Sequence, residues 1–431
     1  MNTTAVLDRD TEPTPTSSLA SLASSAWSDF GCRVNALPPA ELFERYERSR
    51  FLYPAKRARL APYWPRILDN WQRARRAGEL LHWVASYDEP DGGWASLTSW
   101  RSTHAGWQTQ HLVSSGTLLG GRAVMLAAQA VRTAERQDVA QQNWFSPGNR
   151  FAALAFGGMA DSLGPERSLV AAGDYVTVPL PLARTLGQGD EARGPGGDGA
   201  RGLSRGGALG LSGDGALGLS RDGTRGLGRD GTRGLGGDGT RGRDRRPSRP
   251  VVELDGGACP ELAELARHCR GEVYVRAEGL DRDDLRLDDV DRLYRLVGLR
   301  RYRRIWVQYD ATGRLRAAAL AYRGPLGFNF SFLENRCDLL VSPELEEPEA
   351  RRAIDALIGA ASAAYEDFEP GSVPVAAATP LDRLLLAGAE RVRPYTRALW
   401  LAEAYSDLYQ HIDSLYARRL RGRGQHPRRT P

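Results

Sequence analysis

The stretch that decides the fold runs from Trp107 to Val131 and reads WQTQHLVSSGTLLGGRAVMLAAQAV. As far as Ser115 its residues alternate between apolar and polar, as they do in a half-buried strand. A glycine-containing segment follows, and an unbroken apolar helix is predicted from Val124 onward. A strand that leads through glycines into a helix, with no capping acid beside it, presents backbone N–H groups to a phosphate. The sequence therefore predicts an anion-binding loop at Gly120–Ala123.

A second strand and a second helix follow this loop. The strand is predicted at Gln142–Phe145, and the helix begins near Asn149 after a Ser-Pro-Gly turn. Two helices and a pair of antiparallel strands precede Trp107. This order resembles the acyl-CoA-binding core of the GNAT superfamily of N-acyltransferases, and the likeness covers most of residues 37–182. A glycine pair before a helix is also ordinary turn chemistry, which is the alternative interpretation of the loop.

The GNAT motifs match in part. The family's pyrophosphate loop has Gln or Arg, two variable residues, Gly, one variable residue, then Gly or Ala. Gly121-Arg122-Ala123 matches its second half, whereas Leu118 stands where Gln or Arg is usual. Asn149 and Ala152 match the later helix, but Phe156 occupies the position of a Tyr that commonly protonates the departing CoA thiolate. A phenyl ring cannot donate that proton.

The resemblance implies a site for acetyl-CoA or another acyl-CoA, with no metal. The backbone N–H near Val113 is the implied oxyanion donor, and the base for the incoming amine would be His111 or His104. Each histidine has an ordinary alternative role, as a hydrogen-bonded imidazole of the sheet or turn. The residues implied to contact the acyl-CoA are Val113, Ser115, Gly120, Gly121, Arg122, Ala123, Asn149 and Phe156.

The pattern of elements recurs after residue 250. Helices, a hairpin, a further strand and a helix follow one another as in the first half. However, Ser342–Pro348 replaces the glycine loop, and its three acids would repel a pyrophosphate. The predicted fold class is therefore α+β, with two GNAT-like mixed-sheet domains and flanking helices, of which the second has a degenerate CoA loop. We expect the second domain to be a structural or substrate-shaping partner that binds no CoA.

The domain boundaries follow from low-complexity sequence. Between Leu203 and Gly242 an eight-residue unit rich in Gly, Asp and Arg repeats in tandem. One Leu per unit cannot offset the entropy of ordering so much glycine, which favours a flexible linker. The predicted organisation is a disordered leader (1–36), a first domain (37–183), the Gly-rich linker (184–250), a second domain (251–420) and a basic tail (421–431).

The composition of the chain disfavours several other classes of protein. The chain of 431 residues is 41% hydrophobic and 26% charged, and no apolar run is long enough to cross a bilayer. Its four cysteines form no CxxC pair, which disfavours a zinc site and a disulfide framework. The one lysine, Lys56, lies in a charged stretch that predicts exposure and disfavours Schiff-base chemistry. We expect a cytoplasmic protein without membrane or nucleic-acid partners.

Two functional hypotheses follow. The first is an acyl-CoA-dependent N-acyltransferase whose acceptor is an amine on a small molecule or a protein. The second is a catalytically weak or inactive GNAT-like module that binds an acyl-CoA or a protein partner. The match at Gly121–Ala123 favours the first hypothesis, and Phe156 favours the second. A third alternative is an unrelated α+β scaffold in which the glycines only turn the chain.

Overall fold

The strands join into one continuous mixed sheet of twelve strands in the computed structural model, which describes residues 25–116, 118–135, 139–186, 250–378 and 389–424. The strands are β1 (Arg33–Val34), β2 (His82–Asp88), β3 (Trp94–Thr103), β4 (Gly106–Ser115), β5 (Ala140–Phe145), β6 (Ser168–Pro179), β7 (Val252–Glu253), β8 (Tyr302–Tyr309), β9 (Leu315–Arg323), β10 (Cys337–Val341), β11 (Ser372–Ala378) and β12 (Glu390–Trp400).

Helices flank this sheet. They are α1 (Pro39–Arg48), α2 (Pro54–Leu60), α3 (Trp64–Arg76), α4 (Leu118–Glu135), α5 (Arg150–Ala152), α6 (Gly158–Leu163), α7 (Leu180–Leu186), α8 (Pro260–Arg270), α9 (Glu272–Glu278), α10 (Asp288–Arg295), α11 (Glu347–Ala361) and α12 (Tyr405–Gly424). A π-helical segment, Ala153–Gly157, joins α5 to α6. The α+β class expected from the sequence is confirmed.

The strand order is nearly symmetric about the middle of the sheet. It runs β1-β2-β3-β4-β5-β12-β6-β11-β10-β9-β8-β7. The neighbours β4 and β5 are parallel, as are β10 and β11, and the other recorded pairs are antiparallel. Each half of the chain thus builds the same arrangement from its own edge strand inward.

The two halves exchange their last strands. β12 comes from the second half but pairs with β5 of the first, placing Thr396 opposite Phe145. β6 comes from the first half but pairs with β11 of the second, placing Val178 opposite Val373. The exchanged strands also pair with each other, from Glu390 opposite Thr177 to Trp400 opposite Ser168. The halves therefore share one sheet, and each depends on the other for a central strand.

Helix α4, which contains the apolar run from Val124 to Val131, is the best-buried helix of the first half. Val124, Met125 and Leu126 are at most 1% exposed, because α4 lies between the sheet and α12. An apolar surface all around a helix is typical of such a position. Ile412 and Tyr416 of α12 cover the side of α4 that faces away from the sheet.

A buried cluster of charges joins the halves where the strands exchange. Arg336 donates to Glu278 at 2.8 Å and to Asp338 at 2.9 Å. Arg397, on the exchanged β12, donates to both acids and, at 3.0 Å, to the Gln142 side chain of β5. Two acids and two arginines balance one another in this buried environment, as buried charges require.

Some segments predicted from the sequence cannot be compared with the structure, because they lie outside the residues that it describes. The Gly-rich linker, apart from residues 184–186 and 250, and the basic tail beyond residue 424 lie outside the described residues. Near the other end, Trp27 and Cys32 are buried and β1 pairs with β2, so packing starts before the boundary expected at residue 37. Among the described residues, no helix combines the length and apolar character needed to cross a membrane.

Candidate functional site

A β-bulge in β4 marks the site. Ser96 of β3 pairs with Val113 of β4, but Thr98 pairs with Gln110, so β4 carries one extra residue between these positions. His111 lies in the bulge with a φ of 55°, a left-handed conformation that non-glycine residues rarely adopt. Bulges interrupt a ladder and redirect side chains, and they are frequent beside active sites.

β4 and β5 diverge next to this bulge. Their parallel ladder joins Gly106–Gln108 to Ala140–Gln142 and ends there. At the start of the gap the Asn143 amide lies 2.5 Å from the carbonyl oxygen of Thr109, in the orientation in which its nitrogen donates. Beyond this contact, the backbone edge of β4 faces a gap where a ligand with amide groups can pair as an added strand does.

The gap opens into a cavity of about 230 Å³. Its walls are mostly aromatic and amide-bearing, with three hydroxyl-bearing side chains from Ser and Thr. The lining residues are Phe51, Lys56, Leu97, Thr109, Gln110, His111, Leu112, Asn143, Trp144, Phe145, Ser146, Asn149, Phe151, Ala152, Phe156, Asn329, Phe330, Ser331, Leu333 and Tyr395. An apolar pocket with a few converging polar groups is the usual form of a small-molecule site.

One wall of the cavity belongs to the second half of the chain. Asn329, Phe330 and Ser331 come from the connection between β9 and β10, and Tyr395 comes from the exchanged β12. The Tyr395 hydroxyl lies 2.7 Å from Ser331 Oγ. These residues were not predicted, because no local pattern in the sequence indicates that the β9–β10 connection and β12 reach the first half.

His111 reaches the cavity through an aromatic cluster. Its ring stacks on Phe330 with the centroids 4.3 Å apart and on Trp71 at 5.8 Å. Burial, aided by Lys56 and His82, lowers the pKa of His111 well below 6.5. The imidazole is therefore neutral near pH 7 and a weak base, although it lies where the resemblance places one.

His104 lies elsewhere. It follows β3 in the turn that precedes β4, roughly 20 Å from His111 along the strand direction. Its Nε2 lies 3.0 Å from the carbonyl oxygen of Asp284 and so donates to it. The structure therefore does not bring the two histidines together, and His104 fastens the turn to the second half instead of facing the cavity.

The predicted phosphate loop is helical. α4 begins at Leu118, so Gly120–Ala123 form its first turns and not a loop before it. A Cβ atom on Gly121 would lie 2.9 Å from Tyr416 Oη, because this glycine lets α12 approach. Arg122 donates to Asp413 at 2.9 Å, also on α12, and Ala123 is buried.

An acid caps the beginning of α4, contrary to the sequence-based expectation. The Gly120 N–H donates to Glu89 Oε1 at 3.2 Å, and Glu89 is 7% exposed. Two glycines leave space for the Glu89 carboxylate. A Cβ atom would lie 2.5 Å from Glu89 Oε2 if it were added to Gly93, and 2.8 Å from it if it were added to Gly116. A carboxylate at a helix N-terminus interacts favourably with the helix dipole. It also puts a negative charge at the position implied for a pyrophosphate, and this charge does not fit a phosphate group.

Asn149 and Phe156 do line the cavity. The Asn149 side chain accepts from the Ala152 N–H at 3.1 Å and thereby caps α5. Phe156 lies in the π-helical segment, with its ring centroid 5.4 Å from that of Trp400 and 6.1 Å from that of Phe145. Single-turn π segments are often found at functional sites. Val113 is buried beside the bulge, whereas Ser115 ends β4 outside the cavity.

In the part of the second half that the structure describes, the helix corresponding to α4 has acids where an anion would bind. α11 follows β10 and begins beside Glu346, with Glu347 and Glu349 in its first turn. Their negative charge opposes phosphate at that helix end.

Comparison with known proteins leaves the family open. A Drosophila protein, solved by X-ray crystallography as a structural genomics target, is 11% identical, and the match covers 86% of this chain and 99% of that one with a TM-score of 0.36. A likeness of this size supports no inference about function. No protein-family profile matches the chain, and no curated protein matches it at a significant level.

Proposed function

We propose that the protein is a GNAT-like N-acyltransferase that takes its acyl group from a pantetheine thioester and transfers it to an amine. Acyl-CoA is the donor that the family resemblance suggests. The main support for the proposal is the β4 bulge. It lies next to the place where β4 and β5 diverge, and the gap between these strands opens into the cavity.

The proposed chemistry uses groups of this chain. The edge of β4 holds the amide groups of the donor's arm by backbone hydrogen bonds. The N–H of Val113 beside the bulge is the proposed donor to the oxygen that becomes negative as the amine attacks the thioester carbon. A C–N bond forms, the C–S bond breaks, the attacking nitrogen releases one proton to water, and the leaving sulfur takes one proton. Because Phe156 cannot supply it, we propose the Tyr395 hydroxyl as the proton donor.

A cavity-filling variant tests the proposal. Ser146→Trp places a large ring in the cavity, while Ser162→Trp places the same ring at an exposed position and serves as the control. Acetyl-pantetheine binding, measured by calorimetry, should fall at least about tenfold in the first variant and stay unchanged in the second. Equal binding to both variants would place the thioester site elsewhere.

A second candidate function, thioester binding without appreciable turnover, is favoured by Phe156. General-acid help accelerates such steps by about 10²–10⁴-fold. If Tyr395 does not supply it, Phe156→Tyr should raise the rate of thiol release with a primary amine, whereas Tyr395→Phe should leave the wild-type rate unchanged. If Tyr395 is the acid, Tyr395→Phe slows the reaction. Binding without thiol release in all three proteins would establish the binding function.

A further inference from the structure

The only lysine of the chain lies at the cavity. Lys56 is half-buried at the beginning of α2, in contrast to the exposure predicted from its charged neighbours. Its Nζ atom lies 3.9 Å from the ring centroid of Phe51 and 5.8 Å from that of Phe330. Aromatic faces attract an ammonium group and can hold it at a defined position.

Lys56 gives the cavity a positive charge. Among the described lining residues there is no aspartate, glutamate or arginine, so Lys56 is the one member with a full charge. His111, on the same wall, is neutral near pH 7. A single charge at a partly enclosed cavity acts over several ångströms, because less water screens it there than at an open surface.

We propose that this cavity binds a carboxylate group through Lys56. The inference rests on the proposed function and deepens it by naming a substrate class. The carboxylate belongs either to the acyl chain of the donor, as in a dicarboxylic acyl thioester, or to an amino-acid-like acceptor. A ligand whose only charge is an ammonium, such as a lysine side chain of another protein, is disfavoured, because the described walls offer it no acid and one like charge.

Matched probes test the proposal without engaging the α4 N-terminus. Succinyl-pantetheine and butyryl-pantetheine differ in whether the acyl chain ends in a carboxylate or a methyl group, and neither carries a phosphate. β-Alanine and propylamine form the corresponding pair for the acceptor. Calorimetry on the full chain compares the wild type with Lys56→Met, which keeps the apolar stem, and with Lys56→Arg, which keeps the charge.

The wild type should bind the carboxylate member of at least one pair about tenfold more tightly than the member without a carboxylate. Lys56→Met should abolish this preference while binding butyryl-pantetheine, which is uncharged, as the wild type does, which shows that the cavity is intact. Lys56→Arg should keep part of the preference. Which pair shows it identifies the source of the carboxylate. Because Lys56 is the only lysine, labelling with ¹³C-lysine gives one side-chain signal, which should shift with the preferred probe.

The failures of the two proposals are distinguishable. If both thioesters bind equally well and the acceptor pair also shows no preference for the carboxylate, the role proposed for Lys56 is wrong. Thioester binding itself is then still supported. A preference that persists in Lys56→Met also overturns it. If neither thioester binds, the proposed function fails. The comparison of β-alanine with propylamine then tests alone whether Lys56 binds a carboxylate. Absence of a carboxylate preference there, including absence of binding, refutes the inference.

Discussion

Replacing Glu89 by Gln should tighten the binding of acetyl-CoA. The amide has the same size as the carboxylate and keeps an oxygen that can accept from the Gly120 N–H, 3.2 Å away in the wild type. What disappears is a negative charge at the place where a pyrophosphate would meet the first turn of α4. The change therefore separates the charge of Glu89 from its packing.

The size of the effect follows from Coulomb's law. Two unit charges 4 Å apart repel by about 1 kcal/mol in bulk water and by about 4 kcal/mol at an effective dielectric constant of 20. Glu89 is 7% exposed, so the second value is the closer guide. These limits correspond to an affinity gain between about fivefold and several hundredfold. The same change should cost about 0.3–1 kcal/mol of folding stability, because the helix dipole loses a favourable partner.

Titration calorimetry with acetyl-CoA and acetyl-pantetheine is the assay. Only the first ligand carries the pyrophosphate, so only its affinity should rise. Asp91→Asn is the matched control, since Asp91 lies in the same β2–β3 turn but is exposed and hydrogen-bonds the Gly93 N–H. An equal gain in Asp91→Asn, an equal gain for both ligands, or no gain in Glu89→Gln would each refute the role given to this carboxylate.

Three further predictions concern stability and association. Cleavage between residues 187 and 249 should leave two fragments that co-elute in gel filtration, because β6 and β12 are exchanged between the halves; fragments that separate and stay folded would contradict the exchange. Glu278→Gln should lower the free energy of unfolding by about 3–5 kcal/mol, because it leaves buried arginines uncompensated, whereas Glu253→Gln at a part-exposed pair should cost less than about 1 kcal/mol in the same urea titration. Burial lowers the pKa of His82 from 6.5 to about 3. Between these two pH values the unfolded chain binds a proton that the folded chain does not. The free energy of unfolding therefore falls on acidification by about 1.4 kcal/mol per pH unit until pH 3. His82→Phe should therefore lose about 2 kcal/mol less than the wild type between pH 7 and pH 5, and equal losses would show that His82 is not responsible.

Local patterns predicted the elements well. The alternation up to Ser115 and the apolar run from Val124 indicated β4 and α4, and both are present. The start of α4 was predicted too late, because Gly120 and Gly121 favour a loop when read alone. In the structure these glycines are helical, since Gly120 lies against Glu89 and Gly121 against Tyr416.

The candidate site was less predictable, because its important contacts join distant parts of the chain. Glu89 reaches the N-terminus of α4 from 31 residues earlier, so the nearby sequence shows no cap. Tyr395 meets Ser331 only because β12 crosses to β5. The likeness to acyltransferase motifs predicted that Phe156 would belong to a site, but it could not indicate that five of the twenty lining residues come from beyond residue 328.

The exchange of β6 and β12 has a consequence for synthesis on the ribosome. β5 emerges early, but its neighbour β12 lies roughly 250 residues further on, which at about 5–20 residues per second is about 10–50 s of translation. During that interval the nascent first half exposes the unpaired edge of β5, which is a template for non-native association. A chaperone that shields exposed strand edges would therefore raise the yield of native protein most when it acts before translation of residues 390–400.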